Sequence, residues 1–382
     1  MRILSLFADD LLRSGKVSER GFDVICQSGV RSPASIYSLL ANFPSLAQRG
    51  YFNAAELSAE LVRSESELSN GFFSRLSSSS FQKTFAASRE FDFEGALPPS
   101  TARWQPSDEV PLRTFGETLF SGISAKAIRQ GKIDARNCQP WPVRNQYFRG
   151  TCVAFAIAAL RESLICELKG GTADLSEQFL YWATKVKVGD PWPTDDGTTL
   201  KFALAALQQY GICQEAECIY NPDEVINDPG QSMPPHAPTS VSIASASSFS
   251  MSASSYSSLS PGVTALIDAL RKGRPLAVSL PVFSDPLAGP SSNNWNSPTG
   301  ILYGEVLDPP PTSIVTGGHA ACLTGFVPDA MEPSGGYFII RNSWGVDWGC
   351  DLPSVTWHGP EAGYGQISAT YVDQFLWEWA QL

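Results

Sequence analysis

The sequence predicts an α+β protein: a small helical module, a connector, and a larger unit whose helices precede its strands. Three observations carry that reading. Apolar residues recur at three- and four-residue spacing within residues 1–80 and again within 152–210. Strand-like apolar runs dominate the chain beyond residue 240. The charge is also lopsided: residues 1–130 hold 14 basic and 14 acidic side chains, so the formal net charge of −11 lies wholly beyond residue 130. At 382 residues the chain exceeds one typical domain, and helices followed by strands imply segregated subdomains.

The elements follow in order. "LFADDLLRSG", "PASIYSLLANFPSLAQRG" and "NAAELSAELVRSESEL" read as helices, punctuated by Gly15, Gly29 and Gly50, with Asn53 as the cap of the third. They define a helical module over residues 1–82, expected to recruit a protein partner or to regulate. Residues 83–130 read as a Pro/Ser-rich, extended connector bearing Phe91, Phe93 and Trp104, with the short helix "GETLFSGISAKAIRQG" near its end. Residues 131–382 form the large unit. Its helices are "VAFAIAALRESLICELKG", "SEQFLYWATKV" and "TLKFALAALQQYG"; its strands are "PLAVSLPVF", "HAACLTGFV" and "YFIIRNSW", with the helix "GVTALIDALRKG" among them. In "VSIASASSFSMS", Val241, Ile243, Phe249 and Met251 partly alternate with small polar residues, which predicts a further strand. Residues 284–317, rich in Pro, Asn and Gly, read as a loop.

Composition excludes several classes. With 43% hydrophobic and 17% charged residues the chain suits a globular core. No uncharged apolar stretch of ~18 residues predicts a membrane span. The opening "MRILSLFADDLLRSGKV" places acids where a signal peptide needs an apolar run, so a cytoplasmic location is expected. The acidic balance argues against nucleic acid as a partner. Eight cysteines form no CxxC pair, and three histidines complete no zinc pattern, so neither metal nor cofactor is expected. Cys213 and Cys218 are near enough in sequence to bridge, but a reducing cytosol leaves them as thiols.

One cysteine stands apart. In "NQYFRGTC" a polar turn delivers Cys152 to the leading edge of an apolar helix, where the partial positive charge of the helix end favours a thiolate. A cysteine nucleophile needs a base and a group that fixes the base's tautomer. His236 and His358 lie in proline-flanked or glycine-flanked turns. His319, in "GGHAACLTGF", opens an apolar strand after two glycines that permit close backbone approach. Asn342, in "IIRNSWG", ends the next strand, and consecutive strands commonly pair. Gln146, six residues before Cys152, is placed to donate to an oxyanion alongside the Cys152 N–H.

The order Gln, Cys, His, Asn in these contexts resembles the papain (C1) family of cysteine peptidases, in its intracellular, bacterial-type form. "PVRNQYFRGTCVAFA" resembles the segment of the family's catalytic cysteine, "LSEQFLYW" its LSEQ segment, "GGHAACLTGF" its histidine strand and "YFIIRNSWGVDWG" its asparagine segment. "KIDARNCQPWPVRNQ" resembles its opening strand and "GYGQIS" its closing one, so the likeness runs over roughly residues 131–375. Departures exist. Arg149 stands where secreted relatives have a disulfide-bonded cysteine, Val153 where many have tryptophan, and Cys152 to His319 is longer than the family's usual ~130–150 residues. No papain-type propeptide motif is found in residues 1–130.

The resemblance implies a papain-like fold, with a helical left and a β-barrel-like right subdomain, preceded by a small all-α domain. It implies an endopeptidase acting on protein or peptide substrates through Cys152, His319, Asn342 and Gln146, by way of a thioester acyl-enzyme. Trp344 would shield the His319–Asn342 bond. Gly150, Thr151, Gly318 and Trp344 would contact substrate together with Asp196 and Gly197 of "TDDGTT" at the cleft rim. The same residues would also serve a protein deamidase or transferase, and an inactive binding module is a third reading.

Overall fold

The computed structural model describes residues 11–27, 33–53, 56–57, 95–110, 131–139, 141–192, 195–224, 237–252, 254–288, 292–329, 332–349 and 361–382. Most of the helix expected over 53–68, the connector aromatics Phe91 and Phe93, the helix expected over 116–131, and His236 and His358 lie outside the described residues.

In the N-terminal module, α1 (Glu19–Gln27), α2 (Pro33–Asn42) and α3 (Pro44–Gln48) close around Val24, Ile25, Ile36, Leu39 and Leu46. Pro44 begins α3 where no amide donor is needed. Asn53 accepts from the Glu56 N–H at 3.4 Å, as a cap would. This core is completed by Leu307 of the large unit. The docking is polar elsewhere: the Ser45 N–H donates to Asp285 Oδ2 at 2.9 Å and Asn42 Nδ2 to the Asn293 carbonyl at 2.9 Å.

The large unit opens with β1 (Ile133–Asp134), then α4 (Cys152–Lys169), α5 (Glu177–Trp182) running into a π-helical turn over Ala183–Val188, and α6 (Leu200–Tyr210). Ser176 starts α5 by accepting the Phe179 N–H at 3.0 Å. There follow α7 (Ser240–Ala246), β2 (Ser255–Ser257), α8 (Val263–Leu270), β3 (Leu276–Ser284), α9 (Pro298–Tyr303), β4 (Ile314–Pro328), β5 (Gly336–Arg341), β6 (Tyr364–Ser368), α10 (Ala369–Phe375) and β7 (Glu378–Gln381). Among the described residues the strands form one antiparallel sheet in the order β2-β7-β3-β4-β5-β6, with β1 paired to β4.

The alternation of side chains along β3 and β4 divides two cores. Ala277, Ala320, Cys322 and Ala380 face the helical layer around α4. Their small size lets the helix approach the sheet, and Cys322 Sγ donates to the Ala156 carbonyl at 3.3 Å. Val278, Leu280, Ala321 and Leu323 face the opposite core with Trp295, Trp344, Trp348 and Trp377. Both faces are covered, so these strands read as continuous apolar runs.

Two expectations are corrected. Residues 240–246 are a helix, capped by Thr239, whose side chain accepts the Ser242 N–H at 3.1 Å. It buries Ser242 and Ala246, one turn apart, and leaves Val241 and Ile243 exposed, so the partial alternation misled. Residues 284–317 are no open loop: they contain α9 and the start of β4, and bury Asn293, Asn294 and Trp295.

Candidate active site

Cys152 is the first residue of an 18-residue helix whose positive end faces the cleft. Thr151, at the cap position, bonds no helix N–H with its side chain; its hydroxyl lies 2.8 Å from Tyr220 Oη instead. Cys152 is buried, and its Sγ accepts the Ala320 N–H at 3.4 Å. That bond seats the thiol beside His319, the preceding residue of β4.

His319 Nε2 stands 2.7 Å from Asn342 Oδ1. Asn342 follows directly on β5, whose register with β4 pairs Cys322 with Arg341 and so brings the two side chains together. Asn342 Oδ1 also accepts the Ser343 N–H at 2.8 Å, which fixes it as an acceptor and assigns the ring proton to Nε2. His319 Nδ1 is buried without a hydrogen-bond partner among the described residues and is the ring atom left for the thiol. Burial pushes the His319 pKa down to about 4 against the raising effect of Asn342, so the covered imidazole is neutral. Trp344 lies over the ring at 4.7 Å and Trp295 meets it edge-on at 5.0 Å. Trp295 was missed by sequence reasoning because it sits in the segment read as loop.

Gln146 is buried in the turn before the helix. Its N–H donates to the Ser343 carbonyl at 2.8 Å, its Nε2 to the Arg149 carbonyl at 2.8 Å, and its Oε1 accepts from Ser343 Oγ at 2.5 Å. The turn is thereby tied to the segment that carries Asn342 and Trp344. Cys152, His319, Asn342, Gln146 and Trp344 thus converge on one place. His236 and His358 lie outside the described residues.

The opposite rim is formed by residues 190–192 and 195–198. Lys185 Nζ gathers it by donating to Asp190 Oδ2 at 2.9 Å and to the carbonyls of Trp192, Asp195 and Gly197. Asp196 joins rim to turn, accepting the Gly150 N–H with one oxygen and the Tyr181 hydroxyl at 2.7 Å with the other.

A segment of the connector lies across this cleft. The Ala96 N–H donates to the Gly318 carbonyl at 3.0 Å on one wall. On the other, the Leu97 N–H donates to the Thr198 carbonyl and the Thr198 N–H to the Gly95 carbonyl, each at 2.8 Å, making a parallel bridge. A Cβ at Gly318 would stand 2.3 Å from the Ala96 carbonyl oxygen and 2.1 Å from the Trp377 ring, so only glycine fits there. Gly150, Gly197 and Gly318, expected to meet substrate, meet this strap. Farther along, Trp104 is buried against Phe375 and Phe283, and the Val110 N–H donates to the Ser313 carbonyl at 2.8 Å.

Among the described residues no cluster of three or more His, Cys, Asp or Glu could hold a metal, and no helix is long and apolar enough to cross a membrane.

A cysteine at a helix start, a strand histidine and its asparagine neighbour thus lie together where the helical layer meets the sheet. Residues 130–351 match the family model described as Papain family cysteine protease, and the chain belongs to that family. It is accordingly a cysteine-type peptidase, a hydrolase. An uncharacterized peptidase C1-like protein of Acanthamoeba polyphaga mimivirus is 25% identical over 272 residues, 70% of this chain and 80% of its own. The fold is similar to that of xylellain, a cysteine protease from Xylella fastidiosa, at 21% identity and a TM-score of 0.51, over 75% of this chain and 94% of that one.

Proposed function

We propose that the protein is a cysteine endopeptidase in which Cys152, His319, Asn342 and Gln146 do the chemistry and the 95–97 strap restrains the cleft. The observation that carries the reading is the pair of contacts Cys152 Sγ to the Ala320 N–H and His319 Nε2 to Asn342 Oδ1. Once the strap leaves, the thiol passes its proton to His319 Nδ1 and the thiolate attacks the scissile carbonyl. The Cys152 N–H and the Gln146 amide stabilise the oxyanion, a role that requires Gln146 Nε2 to turn from the Arg149 carbonyl. The imidazolium protonates the leaving amine, and water then hydrolyses the thioester.

The strap supports restraint because it uses the backbone groups an extended substrate needs, the N–H and carbonyl of Thr198 and the carbonyl of Gly318. Gly150, Thr151, Asp196, Gly197 and Trp344 complete the substrate surface in this reading. Division into a 1–82 module, an 83–130 connector and a 131–382 peptidase unit belongs to the same proposal. So does a cytoplasmic setting, supported by six cysteines that form no disulfide among the described residues.

The test is hydrolysis of an unstructured peptide by the full chain and by Ala96→Pro, which removes the strap's donor to Gly318. Ala96→Pro should cleave faster, and Cys152→Ala in that background should not cleave. Deamidated but uncut peptide would reassign the reaction; equal rates would leave residues 1–82 as a module for recruiting a partner.

A further inference from the structure

Arg149 carries a buried charge in the middle of the turn that precedes the nucleophile, and the chemistry described so far does not use its side chain. Only 1% of the residue is exposed. The guanidinium lies between two tyrosine rings, 5.0 Å from the centroid of Tyr181 and 5.0 Å from that of Tyr220. Nη1 donates to Gln178 Oε1 at 2.6 Å and to the Asn221 carbonyl at 2.8 Å, and Nη2 pairs with Glu224 at 3.0 Å. Gln178 Nε2 closes the ring of contacts on Glu224 at 2.6 Å.

The two tyrosine hydroxyls bond to different parts of the site. Tyr220 Oη donates to the Gln146 carbonyl at 2.7 Å and meets Thr151 Oγ1 at 2.8 Å, so it grips the oxyanion turn on both sides of Arg149. Tyr181 Oη donates to Asp196, whose other carboxylate oxygen holds the Gly150 N–H. A planar cation is the group that stacks on two rings while forking to a carboxylate, an amide and a carbonyl; a lysine ammonium cannot do all of this.

We infer that Arg149 is a positioning residue for the reaction: through Tyr220 and Tyr181 it sets the Gln146–Cys152 turn and the Asp196 rim in the geometry the oxyanion requires. The inference rests on the cysteine peptidase reading above. It separates two properties of the site. The reactivity of the Cys152 thiol depends on His319 and the helix dipole, while the Arg149 side chain bonds to Gln178, Asn221 and Glu224. Oxyanion stabilisation depends on the turn that Arg149 holds.

The experiment compares Arg149→Met and Arg149→Lys in the full chain carrying Ala96→Pro. It measures kcat and KM on a peptide, and the rate at which iodoacetamide, which forms no oxyanion, alkylates Cys152. Arg149→Met should lose at least about tenfold in kcat, with KM within about threefold and alkylation within about twofold; Arg149→Lys should recover part of the loss. Unchanged kcat overturns the inference. So does a fall of kcat and alkylation by the same factor with no recovery in Arg149→Lys, the mark of general structural damage. If Arg149→Met does not fold, Tyr220→Phe, which deletes only the hydroxyl, must show the same kcat-selective loss; full activity overturns the inference. If the Ala96→Pro chain alkylates at Cys152 yet hydrolyses nothing, the function above fails. The inference is then read from amide exchange of the 146–152 turn, which Arg149→Met should accelerate and which unchanged exchange contradicts.

Discussion

A Cβ at Gly95 would stand 1.9 Å from the carbonyl oxygen of Gly150, so strap and catalytic turn meet backbone to backbone. No side chain fits between them. Gly95→Ala should therefore displace the strap and raise small-peptide hydrolysis by the full chain several-fold, with faster labelling of Cys152. Steady-state rates on purified, folded protein check this. A rate equal to or below wild type speaks against the strap as the restraint.

The supporting residues should rank in a set order when kcat/KM is compared in the Ala96→Pro background. His319→Ala should approach the loss seen in Cys152→Ala, because His319 directly precedes Ala320, whose N–H contacts the thiol. Gln146→Ala should cost about 10²–10³-fold, as loss of one oxyanion donor does. Asn342→Ala should retain more activity than His319→Ala, since Asn342 only orients the ring. His236→Ala and His358→Ala should be close to wild type. An inactive His358→Ala beside an active His319→Ala would refute the assignment.

The buried His319 and the half-buried Glu215 should bend stability with pH in opposite senses. His319 is lowered to about 4 in the folded chain from an ordinary 6.5, so its contribution is present above about 6.5 and lost as pH falls through about 4. That shift corresponds to about 3 kcal/mol. Glu215 is raised to about 7 from 4.5, chiefly by burial, so its contribution is present below about 4.5 and lost as pH rises through about 7. Thermal melts from pH 4 to 8 should show a smaller acid loss in His319→Gln and a smaller neutral loss in Glu215→Gln. Parallel curves for all three proteins would contradict both assignments.

Trp295 covers the edge of His319 from within the segment on which the N-terminal module docks. Trp295→Ala should destabilise the chain by about 3–5 kcal/mol, as loss of a fully buried aromatic does. It should also let water reach the imidazole and raise the His319 pKa toward its ordinary value, visible as a shift in the pH profile of Cys152 alkylation. Trp295→Phe should keep most of the stability.

The motif-bearing parts of the site were legible because their chemistry fixes residue types at short range. Cys152 at a helix start, His319 in an apolar strand and Asn342 after the next strand each announce themselves in a few residues, although the strand of His319 begins at Ile314 and not, as expected, at His319. Their meeting required that β4 and β5 pair and that the start of α4 pack on β4, and both occur. What stayed hidden was carried by contacts between distant, featureless segments. Gly95 and Ala96 hold the cleft through backbone groups alone, so nothing in their side chains marks the strap. The helix over 240–246 packs by Ser242 and Ala246 and exposes its two largest residues, the reverse of the pattern that sequence reading seeks. Trp295 sits among Pro, Asn and Gly that suggest an open loop, yet it fills the wall beside the base. Arg149 stands where secreted relatives have a cysteine, which gives its charge no partner in the sequence, and its pairing with Glu224 spans 75 positions of the chain.

Cys152, served by His319, is the proposed nucleophile. The direct measurement is mass-spectrometric mapping of an electrophilic peptide probe on the Ala96→Pro chain near neutral pH, beside the same chain carrying Cys152→Ala. The neighbouring Cys322 thiol, pushed up to about 12 by burial, should remain unlabelled. A single adduct should form on Cys152, absent from Cys152→Ala and much slowed in His319→Ala. An adduct that forms first on another cysteine, or that persists in Cys152→Ala, would contradict it.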